Sequence, residues 1–198
     1  MGLYGIVHLV VGPVVRILWR LRVEGMERIP AGPVIVVANH DSLADPFFLG
    51  AAIDRPLRFL AKSELWSRRV VGWVLERLGG IPVERRRGDV AAVAAAARAL
   101  ASGDAVAIFP QGTVLGERDR PWQRGAARLA LTTGTPIVPV AILGAADALR
   151  PGTRLPRLAR VSVLVGEAIP VEPLAPTIPA TRELTARVRG AVEALTAR

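Results

Sequence analysis

The chain has 198 residues, no cysteine and two histidines, His8 and His40, which excludes disulfides, thiolate-bound metals and imidazole-rich metal sites. Its formal charge of +9 calls for an anionic partner: a phospholipid surface, a phosphorylated substrate, coenzyme A or nucleic acid. Lys62 is the only lysine, an arginine bias that genome composition also produces, and the length fits one domain with a substantial core.

From Gly2 to Val15 the chain is apolar apart from His8, and Arg16, Arg20 and Arg22 follow at once. This run falls short of the roughly 20 residues a relaxed transmembrane helix needs. Residues 1–22 are therefore expected to form a membrane-associating helix, lying in or against the bilayer with Trp19 and the arginines at the interface. A helix packed on the domain and a true span or uncleaved anchor are the other uses of such a segment. Residues 23–198 form the remaining unit. Val23 to Pro30 alternates in polarity before Ala31-Gly32-Pro33, as an edge strand would. Pro33-Val34-Ile35-Val36-Val37-Ala38 then reads as a buried strand.

A polar knot follows, Asn39-His40-Asp41-Ser42-Leu43-Ala44-Asp45, and Pro46 opens a helix-compatible run to Ile53. On one continuous helix His40 and Asp45 would be turned by about 500°, off any common face. They meet only if His40 stays in the turn and Asp45 begins the helix. A carboxylate accepting the imidazole N–H fixes the tautomer and leaves the other nitrogen free to take a proton from a hydroxyl. Asp45 before Pro46 is also what a plain helix cap looks like.

Beyond the knot, Leu57 to Ala61 is a strand and residues 63–78 an amphipathic helix stopped by Gly79-Gly80. Arg85-Arg86-Arg87 is the densest positive cluster, able to grip phosphate by paired hydrogen bonds or to stand as a solvated charge run. Val90 to Ala101 is an Ala-rich helix, and Ala105-Val106-Ala107-Ile108-Phe109 a buried strand. That strand delivers Pro110-Gln111-Gly112-Thr113 to the crevice of His40, where turn N–H groups could stabilise an oxyanion. Gly125 to Thr133 is a helix, and Ile137 to Leu143 a strand whose Pro139 implies an edge position or a bulge. Arg160 to Gly166 is a last strand, and residues 181–195 a closing helix. No repeat, dinucleotide fingerprint or P-loop occurs.

Asn39-His40-x-Ser42-x-x-Asp45 resembles the first motif of the glycerolipid acyltransferase family, typified by the 1-acylglycerol-3-phosphate acyltransferases. Gly80-Ile81-Pro82-Val83-Glu84-Arg85 resembles the second, Ile108-Phe109-Pro110-Gln111-Gly112-Thr113 the third, and Ile137-Val138-Pro139-Val140-Ala141-Ile142 the fourth, in the expected order. The resemblance implies a single α/β domain with a central mixed sheet flanked by helices. It implies transfer of a fatty acyl group from acyl-CoA or acyl carrier protein to a lysophospholipid-type hydroxyl, in phospholipid biosynthesis. His40 would be the base and Asp45 its orienter. Asn39, Ser42, Arg85, Gln111, Gly112 and Thr113 would shape or bind substrate, Arg85 at the acceptor's phosphate.

No cofactor or metal is implied, nor nucleic acid, for which aromatics are few. The expected location is the cytoplasmic face of the cell membrane, peripheral or monotopic. Two positions depart from the family: Gln111 replaces a glutamate and Val114 an arginine. Either Arg118, Arg120 or Arg124 supplies the missing cation, or the acceptor differs from lysophosphatidic acid, or the chain is a basic lipid-binding protein whose chemistry is impaired.

Overall fold

The computed structural model describes residues 12–67, 69–77, 79–84, 90–112, 121–150, 153 and 155–197. Among these the strands are β1 (Arg22–Glu24), β2 (Val34–Ala38), β3 (Leu57–Lys62), β4 (Ile81–Val83), β5 (Ala105–Ile108), β6 (Ile137–Leu143) and β7 (Ser162–Val165). They form one sheet in the order β1-β7-β6-β2-β5-β3-β4. All pairs are parallel except β6 with β7, so β1 and β7 run against the other strands.

The five residues of β2 are buried throughout, as a central strand covered on both faces requires. Val34, Val36 and Ala38 join one core beneath α1 (residues 12–18) and α2 (Asp45–Ala52), while Ile35 and Val37 join the other beneath α4 (Val90–Ala101), α5 (Gly125–Thr133) and α7 (Ile178–Thr196). β2 and β5 are parallel neighbours, yet the helix after β2 covers one face and the helix after β5 the other. Chains leaving adjacent strands in opposite directions open a crevice at their carboxyl ends, where α/β proteins bind ligands.

Three expectations need correction or trimming. The strand predicted over residues 23–30 is only β1, because Gly25 turns at φ +81° and a Cβ there would collide with the Val165 carbonyl; a 3₁₀ turn, Met26–Arg28, follows. The helix predicted over residues 63–78 is a 3₁₀ turn, Ser63–Ser67, followed by α3 (Arg69–Arg77). Pro139 lies in an interior strand, not at an edge. The implied bulge is in the facing chain: Val140 pairs with Val165 and Ile137 with Ile169, so one extra residue stands opposite Pro139, whose carbonyl accepts the Gly166 N–H at 2.8 Å.

Residues 1–11 of the expected N-terminal helix lie outside the described residues. Trp19, expected at a lipid interface, is half-buried, edge-to-face with Phe48 at 5.7 Å, and its indole N–H donates to the Arg157 carbonyl at 2.8 Å. Val15 of α1 is buried, while Val14, Ile17 and Leu18 stay exposed. α1 is thus amphipathic, its inner face packed on the domain. No helix among the described residues is long and apolar enough to cross a membrane. Between β6 and β7 lies the short α6 (Ala145–Ala148).

Candidate active site

β2 ends at Ala38, and the next side chain ties the turn to β6: Asn39 Nδ2 donates to the Ile142 carbonyl at 2.9 Å and Oδ1 accepts the Ile142 N–H at 2.7 Å. Nδ2 also donates to Asp41 at 2.9 Å. Ser42 is fully buried; its hydroxyl donates to the Leu149 carbonyl at 2.8 Å and accepts the Ala44 N–H at 3.1 Å. Asn39 and Ser42, expected to shape the turn or touch substrate, spend their polar atoms fastening the turn to β6 and to the chain after α6.

The fastened turn leaves His40 beside Asp45. The imidazole Nδ1 lies 2.9 Å from Asp45 Oδ2, which also accepts the Ser42 N–H at 2.8 Å. Asp45 is the first residue of α2, with Ala44 at the cap, so its carboxylate turns back onto the preceding turn and does not cap the helix. It is wholly inaccessible, and its Oδ1 has no hydrogen-bond partner among the described residues. Burial pushes the Asp45 carboxyl above the usual carboxylate range, opposed by the hydrogen bonds from His40 and Ser42. With Nδ1 donating to this carboxylate, Nε2 is left as a proton acceptor, on a side chain 15% exposed.

β5 brings the second segment to the same crevice, since Val37 and Ile108 are register partners. Phe109 follows and stacks on the His40 ring, centroids 4.4 Å apart and planes 23° apart. Its role was not foreseen: an apolar residue at a strand end reads as core. The available signal was the alternation Ala105, Ala107, Phe109, which places a large ring at the end of a small-residue face beside Ala38. Gly112 adopts φ +70°, a conformation glycine takes without strain, and its N–H is spent on the Phe109 carbonyl at 3.0 Å. Pro110 has no N–H, so among the described residues of this turn the donor left is that of Gln111, whose side-chain Oε1 is buried without a partner among the described residues. Arg85, Thr113 and Val114, with Arg86 and Arg87, lie outside the described residues.

Fold and geometry together define an α/β protein that holds a histidine–carboxylate pair at the carboxyl ends of neighbouring parallel strands. A family model described as Acyltransferase matches residues 20–143, and the chain belongs to that family. It is 27% identical over 140 residues to the chloroplastic 1-acyl-sn-glycerol-3-phosphate acyltransferase BAT2 of Brassica napus, covering 68% of this chain and 40% of that protein. It is 36% identical over 126 residues to the lyso-ornithine lipid O-acyltransferase of Pseudomonas aeruginosa, covering 63% and 47% respectively. The chain therefore spans less than half the length of either relative. Among solved structures, the 1-acyl-sn-glycerophosphate acyltransferase PlsC of Thermotoga maritima superimposes with a TM-score of 0.71 at 26% identity, covering 100% of this chain and 85% of the other.

Proposed function

We propose that this protein is an O-acyltransferase of phospholipid synthesis that moves a fatty acyl group from acyl-CoA or acyl carrier protein to the hydroxyl of a lysophospholipid-type acceptor. The observation that carries the reading is the 2.9 Å contact of His40 Nδ1 with Asp45 Oδ2 at the β2–β5 crevice. His40 Nε2 takes the acceptor's proton as its oxygen attacks the thioester carbonyl. The oxyanion forms against the Gln111 N–H. Collapse expels the thiolate, which takes the proton back from the imidazolium as the ester is released. Asp45 fixes the tautomer, and Asn39 and Ser42 hold the turn in which His40 sits. Arg85 and Thr113 serve the acceptor's headgroup, with no metal or prosthetic group taking part.

A second reading concerns the acceptor. Gln111 and Val114 remove one anion and one cation from the family's usual set, and a relative at 36% identity is named for lyso-ornithine lipid. We infer an acceptor other than lysophosphatidic acid. The reading includes peripheral binding at the cytoplasmic face of the membrane; the exposed Leu155 and Leu158 at the carboxyl edge of β2 support the peripheral contact.

The deciding experiment incubates the protein and its His40→Ala variant with acyl-CoA or acyl carrier protein and a panel of lysolipids, with product detection by mass spectrometry. A His40-dependent ester is expected, from a lysolipid other than lysophosphatidic acid. Lysophosphatidic acid as the best acceptor would remove the second reading. Vesicle binding without product from any donor would instead identify a lipid-binding protein.

A further inference from the structure

A single N–H···O bond to Asp45 fixes one edge of the His40 imidazole but leaves the ring free to pivot about that bond. Phe109 removes the pivot: the rings are stacked at 4.4 Å with planes 23° apart. Phe59 lies beyond Phe109, centroids 6.4 Å apart and planes within 8°. The three rings come from three adjacent strands, His40 after β2, Phe109 after β5 and Phe59 within β3. Phe59 is the register partner of Ala107, two residues before Phe109, so both aromatic side chains leave the same face of the sheet. Both pack against the core under α2.

We propose that Phe109, backed by Phe59, is a positioning residue for the transfer, a role that rests on His40 acting as the base. The face of a phenyl ring carries partial negative charge, which attracts a cation far more than a neutral ring. While the acceptor is bound and unreacted, imidazole is neutral and the stack only orients it. As the hydroxyl proton moves to Nε2 the ring becomes imidazolium, and the attraction to Phe109 reaches full strength. It fades when that proton passes to the departing thiolate sulphur. An interaction stronger in the transition state than in the bound ground state raises kcat and leaves KM nearly unchanged. The His40 side chain is only 15% exposed, so water screens the attraction little. The imidazolium is thus held between a carboxylate in its plane and a π face across it.

The test compares kcat and KM for wild type, His40→Ala, Phe109→Leu, Phe109→Tyr and chains carrying fluorinated phenylalanine at position 109. Fluorination keeps the ring's shape while draining its π face, so the series reads charge apart from packing and remains informative should Phe109→Leu not fold. Phe109→Leu is expected to lower kcat by about fivefold to thirtyfold, with KM within about twofold. Phe109→Tyr should retain nearly all activity, and kcat should fall stepwise with each added fluorine. A flat fluorine series, or a tyrosine variant as slow as the leucine one, overturns the proposal while an inactive His40→Ala leaves the base assignment standing. Full activity in His40→Ala overturns both.

Discussion

The Asn39 carboxamide pairs with both backbone groups of Ile142, donating to the carbonyl at 2.9 Å and accepting the N–H at 2.7 Å. An amide side chain here imitates a strand, extending the β2–β6 pairing by one residue past Ala38. All of these atoms are buried, so Asn39→Ala strands a donor and an acceptor away from water. The expected cost is about 2–4 kcal/mol, seen as a lower urea midpoint at unchanged slope. Activity should fall further than the folded fraction, because the released turn carries His40.

Asp45→Asn separates orientation from stability. The Ser42 N–H keeps the carboxamide oxygen at the Oδ2 position facing His40, but the negative charge that holds the Nδ1 proton and stabilises the imidazolium is lost. A loss in kcat on the order of 10²–10⁴-fold follows, the upper figure being known for the equivalent change in a serine protease. Stability moves the other way. Burial raises the Asp45 carboxyl above its ordinary 3.8, so the folded state holds a proton where the unfolded chain has lost it. The stability this contributes is complete below that ordinary value and is lost as pH rises through the raised one. Wild type should therefore lose stability relative to Asp45→Asn as pH rises from the ordinary carboxyl value of 3.8 upward in paired urea titrations. A constant difference across that range would contradict the burial argument.

The central strand and the site turn could be read from the chain because their causes are local. Val34 to Ala38 is an apolar β-branched run, and the short turn between His40 and Asp45 allows them to meet only when a helix opens at Asp45, as α2 does. Where the cause lay in another strand, the reading stayed incomplete: the bulge that Pro139 implied is present, while the edge position is not. Pro139 sits inside the sheet because the compensating extra residue is among Gly166 to Ala168, far along the chain. Phe109 touches His40 only because β2 and β5 are neighbours, and Trp19 turns inward because Phe48 and the Arg157 carbonyl await it.

Two glycines on the site's flanks predict opposite outcomes. Gly112 holds φ +70° in the turn below His40, so Gly112→Ala should cost about 1–2 kcal/mol in backbone strain and shift the Gln111 N–H from its position. Gly50 lies within α2, with nothing within 4 Å of an added Cβ. Gly50→Ala should stabilise by about 0.5–1 kcal/mol without changing kcat. Thermal unfolding and initial rates of the two variants measure both effects.

The exposed apolar residues are unevenly distributed, and the topology says which edge would meet a bilayer. Because β7 runs against β6, the segment preceding it, with Leu155 and Leu158 at 80% and 77% exposure, lies at the carboxyl edge of β2, the edge that carries His40. The end of α1 reaches the same edge, since the Arg22 N–H bonds the Val161 carbonyl and Trp19 bonds Arg157. Exposed Arg20, Arg22, Arg150, Arg157 and Arg160 surround these leucines, a mixture suited to anionic headgroups over acyl chains. Leu174 and Ile178 are also exposed, at 60% and 65%, but Leu174 is bonded to Leu131 near the end of α5, at the opposite edge. Replacing Leu155 and Leu158 together by serine should weaken partition onto anionic vesicles by about tenfold or more, each buried leucine contributing roughly 1.5–3 kcal/mol if fully inserted. The matching change at Leu174 and Ile178 should leave partition unchanged. Equal effects at the two edges in a vesicle co-sedimentation assay would show that membrane binding is not directed by this edge of the sheet.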